Sequence, residues 1–227
     1  PICQGSGTGN ITLSGHTGLV IRWEKSSNGG SSWTNVANTT TTFSETPSSA
    51  GTWLYRAVVQ NGSCTAAAST NRTIVVDATT VGGSTSGGTT PICQGSGTGN
   101  ITLSGHTGSV QRWEKSSNGG SSWTTVTNTT TTFSETPSSS GTWLYRAVVK
   151  NGVCGEVASS NTSIVVDPTT VGGSVSGTTT ICAGGSTGDL SLSGNTGAIQ
   201  RWERSSNAGS SWTTISSTAN PYSETQN

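Results

Sequence analysis

The sequence repeats itself. Pro1-Ile2-Cys3-Gln4-Gly5 returns as Pro91-Ile92-Cys93-Gln94-Gly95, and 74 of the 90 positions in residues 1–90 are identical in residues 91–180. A third copy begins at Ile181-Cys182, at an offset of 89 from the second, and runs to Asn227. Periods of about 20–50 residues belong to solenoids and propeller blades, whereas about 90 is the size of a whole β-sandwich domain. The expectation is a tandem array of units that fold alike.

Composition narrows the unit. The 42 Thr, 39 Ser and 32 Gly make up about half of the 227 residues, and hydrophobic residues are 29%, against roughly 45–50% in an ordinary globular domain. Each unit must therefore build a small core from few anchors. Eight Trp supply them, which sets the chain apart from a disordered polar tract. Ten basic and ten acidic residues leave no net charge, so no basic stripe is present for nucleic acid or an anionic membrane surface. No run approaches the roughly 20 apolar residues of a membrane span, so this segment is not expected to insert into a membrane.

Within the second copy, short β-former runs separated by turns predict strands over 101–104, 110–115, 123–127, 131–135, 143–150 and 163–167. Alternation in the Trp143 run places Trp143, Tyr145, Ala147 and Val149 on one face, expected to meet Trp113 across the core. Trp23, Tyr55, Trp113, Tyr145 and Trp202 are the expected core aromatics. A core Trp followed by a Tyr near the penultimate strand is an immunoglobulin-like pattern. Ala147 stands where an antibody domain has its second Cys, so packing replaces the usual inter-sheet bridge. The expected fold class is all-β: tandem immunoglobulin-like β-sandwich domains in an extended beads-on-a-string array.

Boundaries fall after Ile-Val-Val-Asp. This gives 1–77 as a repeat lacking its first strand, 78–167 as a complete repeat and 168–227 as a partial one. Residues 78–90 are read as a leading strand in preference to a flexible linker, because Val81, Thr85, Val171 and Val175 retain β-formers.

The cysteines recur with the repeat: Cys3 to Cys64 and Cys93 to Cys154 are each 61 positions apart, and Cys182 opens the third copy. Without Cys-x-x-Cys or His clusters, this usage indicates disulfides in an oxidising compartment and no metal site. The first-choice pairing is Cys3–Cys64 and Cys93–Cys154, with the partner of Cys182 beyond Asn227. A bridge between neighbouring repeats is the alternative if the two cysteine turns lie at opposite ends of a sandwich.

No catalytic constellation is visible and no cofactor is expected, so the chain is read as no enzyme. His16 and His106 sit in Ser-Gly-His-Thr-Gly loops, and Asn195 replaces them in the third copy. The carboxylates are too scattered for a calcium cluster, and Asp77 and Asp167 at the junctions are read as salt links or turn caps. Ser26 to Trp33, with its copies ending at Trp123 and Trp212, resembles an Asp-box hairpin with Asn in place of Asp. Trp33, Trp123 and Trp212 are candidates for stacking on a glycan.

The ordered motifs Val-Gly-Gly-Ser-x-Ser-Gly, Leu-Ser-Gly-x-Thr-Gly, Arg-Trp-Glu-x-Ser-Ser-Asn-x-Gly-Ser-Ser-Trp-Thr and Trp-Leu-Tyr-Arg-Ala-Val-Val-x-Asn-Gly-x-Cys resemble the immunoglobulin-like repeats of giant Bacteroidota cell-surface adhesins of the SprB gliding-motility type. The resemblance covers essentially the whole chain. It implies type IX secretion and display on the outer surface as an outer-membrane-attached filament. The expected partners are neighbouring repeats of the same chain, with surface polysaccharide or other filament chains beyond them. The leading reading is a repetitive, non-catalytic adhesin or filament segment giving reach and multivalent display for attachment or gliding. A structural fibre or sheath subunit and an accessory glycan-binding module of a secreted protein are the alternatives.

Overall fold

A chain with few apolar residues, most of them in alternating runs, can bury them by facing two sheets against each other. The computed structural model describes residues 1–177 and 180–225. Its first repeat contains β1 (Ile2–Cys3), β2 (Ile11–Thr12), β3 (Leu19–Ser26), β4 (Thr34–Val36), β5 (Thr42–Phe43), β6 (Gly51–Gln60), β7 (Ala67–Ala68) and β8 (Arg72–Asp77). The second has β9 (Ser84–Gly87), β10 (Ile92–Cys93), β11 (Ile101–Ser104), β12 (Ser109–Ser116), β13 (Thr124–Val126), β14 (Thr132–Phe133), β15 (Gly141–Lys150), β16 (Val157–Ala158) and β17 (Thr162–Asp167). β18 (Ser174–Ser176), β19 (Ser191–Ser193), β20 (Trp202–Arg204) and β21 (Thr213–Ile215) follow. The fold is all-β, in tandem immunoglobulin-like sandwiches.

In the second repeat one sheet runs β10-β17-β15-β12-β13, with β16 also on β15, and the other runs β14-β11-β9. The core between them joins Trp113, Tyr145, Val149 and Ile164 of the larger sheet to Ile101, Leu103 and Phe133 of the smaller. Trp113 does not meet the Tyr145 face across this core, as the alternation pattern suggested. It stands beside Ala147 in the same sheet, and its ring faces Phe133 opposite, at 5.4 Å between centroids. Strand alternation gives the face of a residue but not which strand becomes its neighbour.

Trp23, Tyr55, Trp113 and Tyr145 are all buried, whereas Trp202 is half-buried and stacks on Tyr222 at 5.4 Å. Polar tips find partners inside: Trp113 Nε1 donates to the Thr130 carbonyl at 2.9 Å and the Tyr145 hydroxyl donates to Glu135 at 3.0 Å. Burial, with Glu135 beside it, pushes the Tyr145 hydroxyl pKa well above its ordinary value.

The Asp-box-like hairpins close through Asn. Asn118 Oδ1 accepts from the Ser122 amide at 3.0 Å, while Asn118 Nδ2 donates to Ser122 Oγ at 2.7 Å. Asn28 and Asn207 repeat both bonds with Ser32 and Ser211. The second bond needs an amide N–H, which Asp lacks, so the substitution keeps the turn and adds a donor.

Candidate functional site: the junction between repeats

β1 runs parallel to β8, with Cys3 level with Asp77, and Val76 is level with Gly51 at the start of β6. Cys3 therefore sits at the end of the sandwich where β6 begins. Cys64 follows the other end of β6. The nine steps from Gly51 to Gln60, at about 3.3 Å each, separate the two ends by about 30 Å. A disulfide needs Cα atoms about 4.4–6.8 Å apart.

The expected Cys3–Cys64 and Cys93–Cys154 pairs are thus corrected by the structure. Cys3 is bonded to Cys154, with Cα atoms 4.9 Å apart and a sequence separation of 151. The bridge joins the β8 end of one repeat to the β15 end of the next. Cys64, Cys93 and Cys182 are exposed free thiols. In the chain-entropy account, closing a loop of this size restricts the unfolded chain by about 5 kcal/mol.

Hydrogen bonds surround the bridge. Asp77 Oδ2 accepts from the Val153 amide at 3.0 Å, Asn151 Nδ2 donates to the Ala78 carbonyl at 2.8 Å, and the Asn151 amide donates to Thr80 Oγ1 at 3.0 Å. Asp77 is therefore a turn cap, supplied by one repeat to the turn of its neighbour. At Gly152, whose φ is +51°, an added Cβ would lie 2.0 Å from Asp77 Oδ2. Gly62, its counterpart in the first repeat, has φ +56° and nothing within 4 Å of the same position. A side chain at Gly152 would thus push the Asp77 carboxylate off the Val153 amide, over and above the cost of the backbone angle. The turn at Asn151-Gly152 is the one whose position the alternative, inter-repeat bridge depended on; Thr80 and the hydrogen bonds of this turn escaped sequence reasoning. Their signal was the Asn-Gly-x-Cys turn at the far end of a long strand, which only a strand register converts into a contact.

The candidate glycan platforms are less open than their sequence suggests. The Arg56 guanidinium lies 3.8 Å from the Trp33 ring centroid, and Arg146 lies 3.7 Å from that of Trp123. A sugar stacking on those faces must displace the cation. Trp212 is 60% exposed. Arg56 and Arg146 also hold the buried carboxylates Glu24 and Glu114, each at 2.7 Å. Burial pushes these carboxyl pKa values up, but hydrogen bonds and charge from Arg56 with Arg22, and from Arg146 with Arg112, more than offset it and hold them below the usual range.

Among the described residues, no group of three or more His, Cys, Asp or Glu side chains is placed to hold a metal ion. Nδ1 of His16 and of His106 is buried without a hydrogen-bond partner.

The profile of a domain of unknown function, DUF8696, matches three times, over residues 1–78, 81–168 and 171–227. The chain belongs to the DUF8696 family. No curated protein matches it. Among solved structures it is similar to the FN1–FN3 domains of chicken CNTN1, at 12% identity over 96% of this chain and 82% of that one, with a TM-score of 0.36. It is also similar to the fibronectin(III)-like modules of Clostridium thermocellum CbhA, at 13% identity over 73% of this chain and 86% of that one, with a TM-score of 0.29. Neither likeness bears on what the DUF8696 repeats do.

Proposed function

We propose that this chain is a non-catalytic segment of an extracellular filament displayed on a cell surface, in which tandem sandwiches give reach and repeated presentation of one surface. The observation that carries the reading is the covalent junction: Cys3–Cys154 ties consecutive repeats together where an ordinary tandem array has only a flexible connection. A staple of this kind suits a chain held under tension in an oxidising compartment. The uncharged Ser/Thr-rich surface and the near-identity of the copies suit weak contacts multiplied by number. Attachment or gliding on the pattern of SprB-type adhesins is the specific role proposed.

The repeats divide at 1–77, 78–167 and 168–227. This division is supported by β9, which pairs with β11 from Ser84↔Ser104 to Gly87↔Ile101. Cys64, Cys93 and Cys182 occupy the repeat positions of Cys154 and Cys3, and are assigned to the same bridge with flanking repeats of a longer array. Immunogold labelling of intact source cells with an antibody to residues 78–167, alongside a blot of the medium, tests the display. Label along cell-attached filaments is expected, and label confined to soluble protein in the medium would overturn it.

A further inference from the structure

The first two copies are nearly interchangeable, and their differences gather in one region. Of the 16 positions that differ between residues 1–90 and 91–180, ten fall within 19–21 and 60–73. These stretches meet where the start of β3 pairs with the end of β6, with β7 on the far side of β6. A bulge interrupts the sheet there, because the register shifts between Val20 and Arg22. Val20 and Trp23 both belong to the core, at 6% and 2% exposed. The two residues between them, Ile21 and Arg22, therefore both turn to the outer side, next to Leu19, which is 78% exposed.

Arg22 and its counterpart Arg112 are partnered differently. Arg112 Nε donates to Glu114 at 2.8 Å and its Nη1 to Glu156 at 2.7 Å. Arg22 Nε and Nη2 likewise lie on Glu24, at 2.8 and 2.7 Å, but Ala66 stands in the place of Glu156, and among the described residues Nη1 has no partner. Glu24 is shared with Arg56, so the first repeat presents one guanidinium charge in excess here. Its surroundings change too: Leu19 and Ile21 replace Ser109 and Gln111, and Gln60 replaces Lys150 opposite position 19. Neighbouring repeats do not create the difference. In the second repeat, with a preceding repeat docked, Ser109, Gln111 and Glu156 are still exposed, and the partners of Arg112 come from its own repeat.

From these observations we infer that Leu19, Ile21 and the open edge of Arg22 form a docking site for an acidic segment of a protein partner, an Asp or Glu carboxylate with an aliphatic side chain beside it. A carboxylate matches the open Nη1, and it is the group that the second repeat itself supplies at this place through Glu156. Two aliphatic side chains otherwise left in water give the contact its apolar half. An acidic glycan is the poorer fit. Sugar rings stack on open aromatic faces, and the ring on this side of the sheet, Trp33, is covered by Arg56 at 3.8 Å. The second repeat is closed to the same segment by its own Glu156, so two nearly identical copies differ in what they hold.

The test titrates the full chain with the peptide acetyl-Leu-Glu-Leu-amide while the Leu19 and Ile21 methyl signals and the Arg22 Nε–H signal are followed by NMR. Saturable shifts at all three are expected in the millimolar range. Acetyl-Leu-Gln-Leu-amide, which keeps the shape and loses the charge, is expected to bind about fivefold more weakly. Ala66→Glu installs the carboxylate of the second repeat and is expected to abolish the shifts, and Leu19→Ser with Ile21→Gln installs its polar pair and is expected to weaken binding about tenfold. Each variant copies residues that the second repeat already carries in the same fold, so a failure to fold does not stand in for a failure to bind. Absence of shifts at about 20 mM peptide overturns the proposal, as does equal binding of the Glu and Gln peptides or unchanged binding in either variant. Glucuronate binding as tightly as the Glu peptide overturns the protein partner in favour of an acidic glycan. None of these readouts depends on where the protein is displayed.

Discussion

Pulling the chain from its two ends separates the observed bridge from the pairing that the sequence first suggests. Force entering at Pro1 reaches Cys3, crosses the disulfide to Cys154 and bypasses everything between. The locked loop spans 151 positions, and at about 3.3–3.6 Å each it withholds about 500–540 Å of extended chain. Bridges at Cys3–Cys64 and Cys93–Cys154 would instead lock two loops of 61 positions, withholding about 200–220 Å apiece. Single-molecule extension with and without reductant reads this difference directly. The full contour length is expected to rise by about 500–540 Å on reduction and to be insensitive to reductant in Cys3→Ser. A gain near 400 Å, divided between two loops, would refute the strand-register argument that places Cys3 and Cys64 at opposite ends of the sandwich.

Gly152→Ala and Gly62→Ala form a matched pair. Both impose a left-handed residue, at about 1–2 kcal/mol, but only the first drives a methyl into Asp77, so the yield of Cys3–Cys154 on air oxidation is expected to fall in Gly152→Ala alone; mass spectrometry of non-reduced digests checks it. Arg146→Ala removes a cation from buried Glu114 and from the face of Trp123, with an expected loss of about 2–3 kcal/mol in denaturant titration and a change in tryptophan emission. The lowered carboxyl pKa values of Glu24 and Glu114 place their contribution above their ordinary 4.5, to be lost as pH falls through the folded values. The raised hydroxyl pKa values of Tyr55 and Tyr145 contribute below their ordinary 10.0 and cease to as pH rises through the folded values. Melting temperature is therefore expected to be flat between about pH 4.5 and 10 and to fall on both sides, with the acid limb shallower in Glu114→Gln.

The repeat period, the strand content and the buried aromatics were legible because each rests on local pattern: the 90-residue offset, the alternation around Tyr145, and the recurrence of Trp23 as Trp113. The disulfide was not, because spacing of 61 is compatible with either pairing. What decides it is that β6 runs the length of the sandwich between the levels of Cys3 and Cys64, a fact of register that no spacing contains. The placing of Trp113 beside Ala147 was hidden for the same reason. The candidate sugar platforms failed to announce Arg56 and Arg146 because these arrive from a strand more than twenty residues away. The junction hydrogen bonds of Asn151 cross 71 and 73 positions, and nothing local marks them.

The central claim is that consecutive repeats are stapled to one another. Proteolysis of the native, thiol-blocked chain without reductant, followed by mass mapping of cross-linked peptides, tests it most directly. The account predicts one linked pair containing Cys3 and Cys154, with Cys64, Cys93 and Cys182 carrying the blocking group. Recovery of Cys3 linked to Cys64, or of Cys93 linked to Cys154, would contradict it.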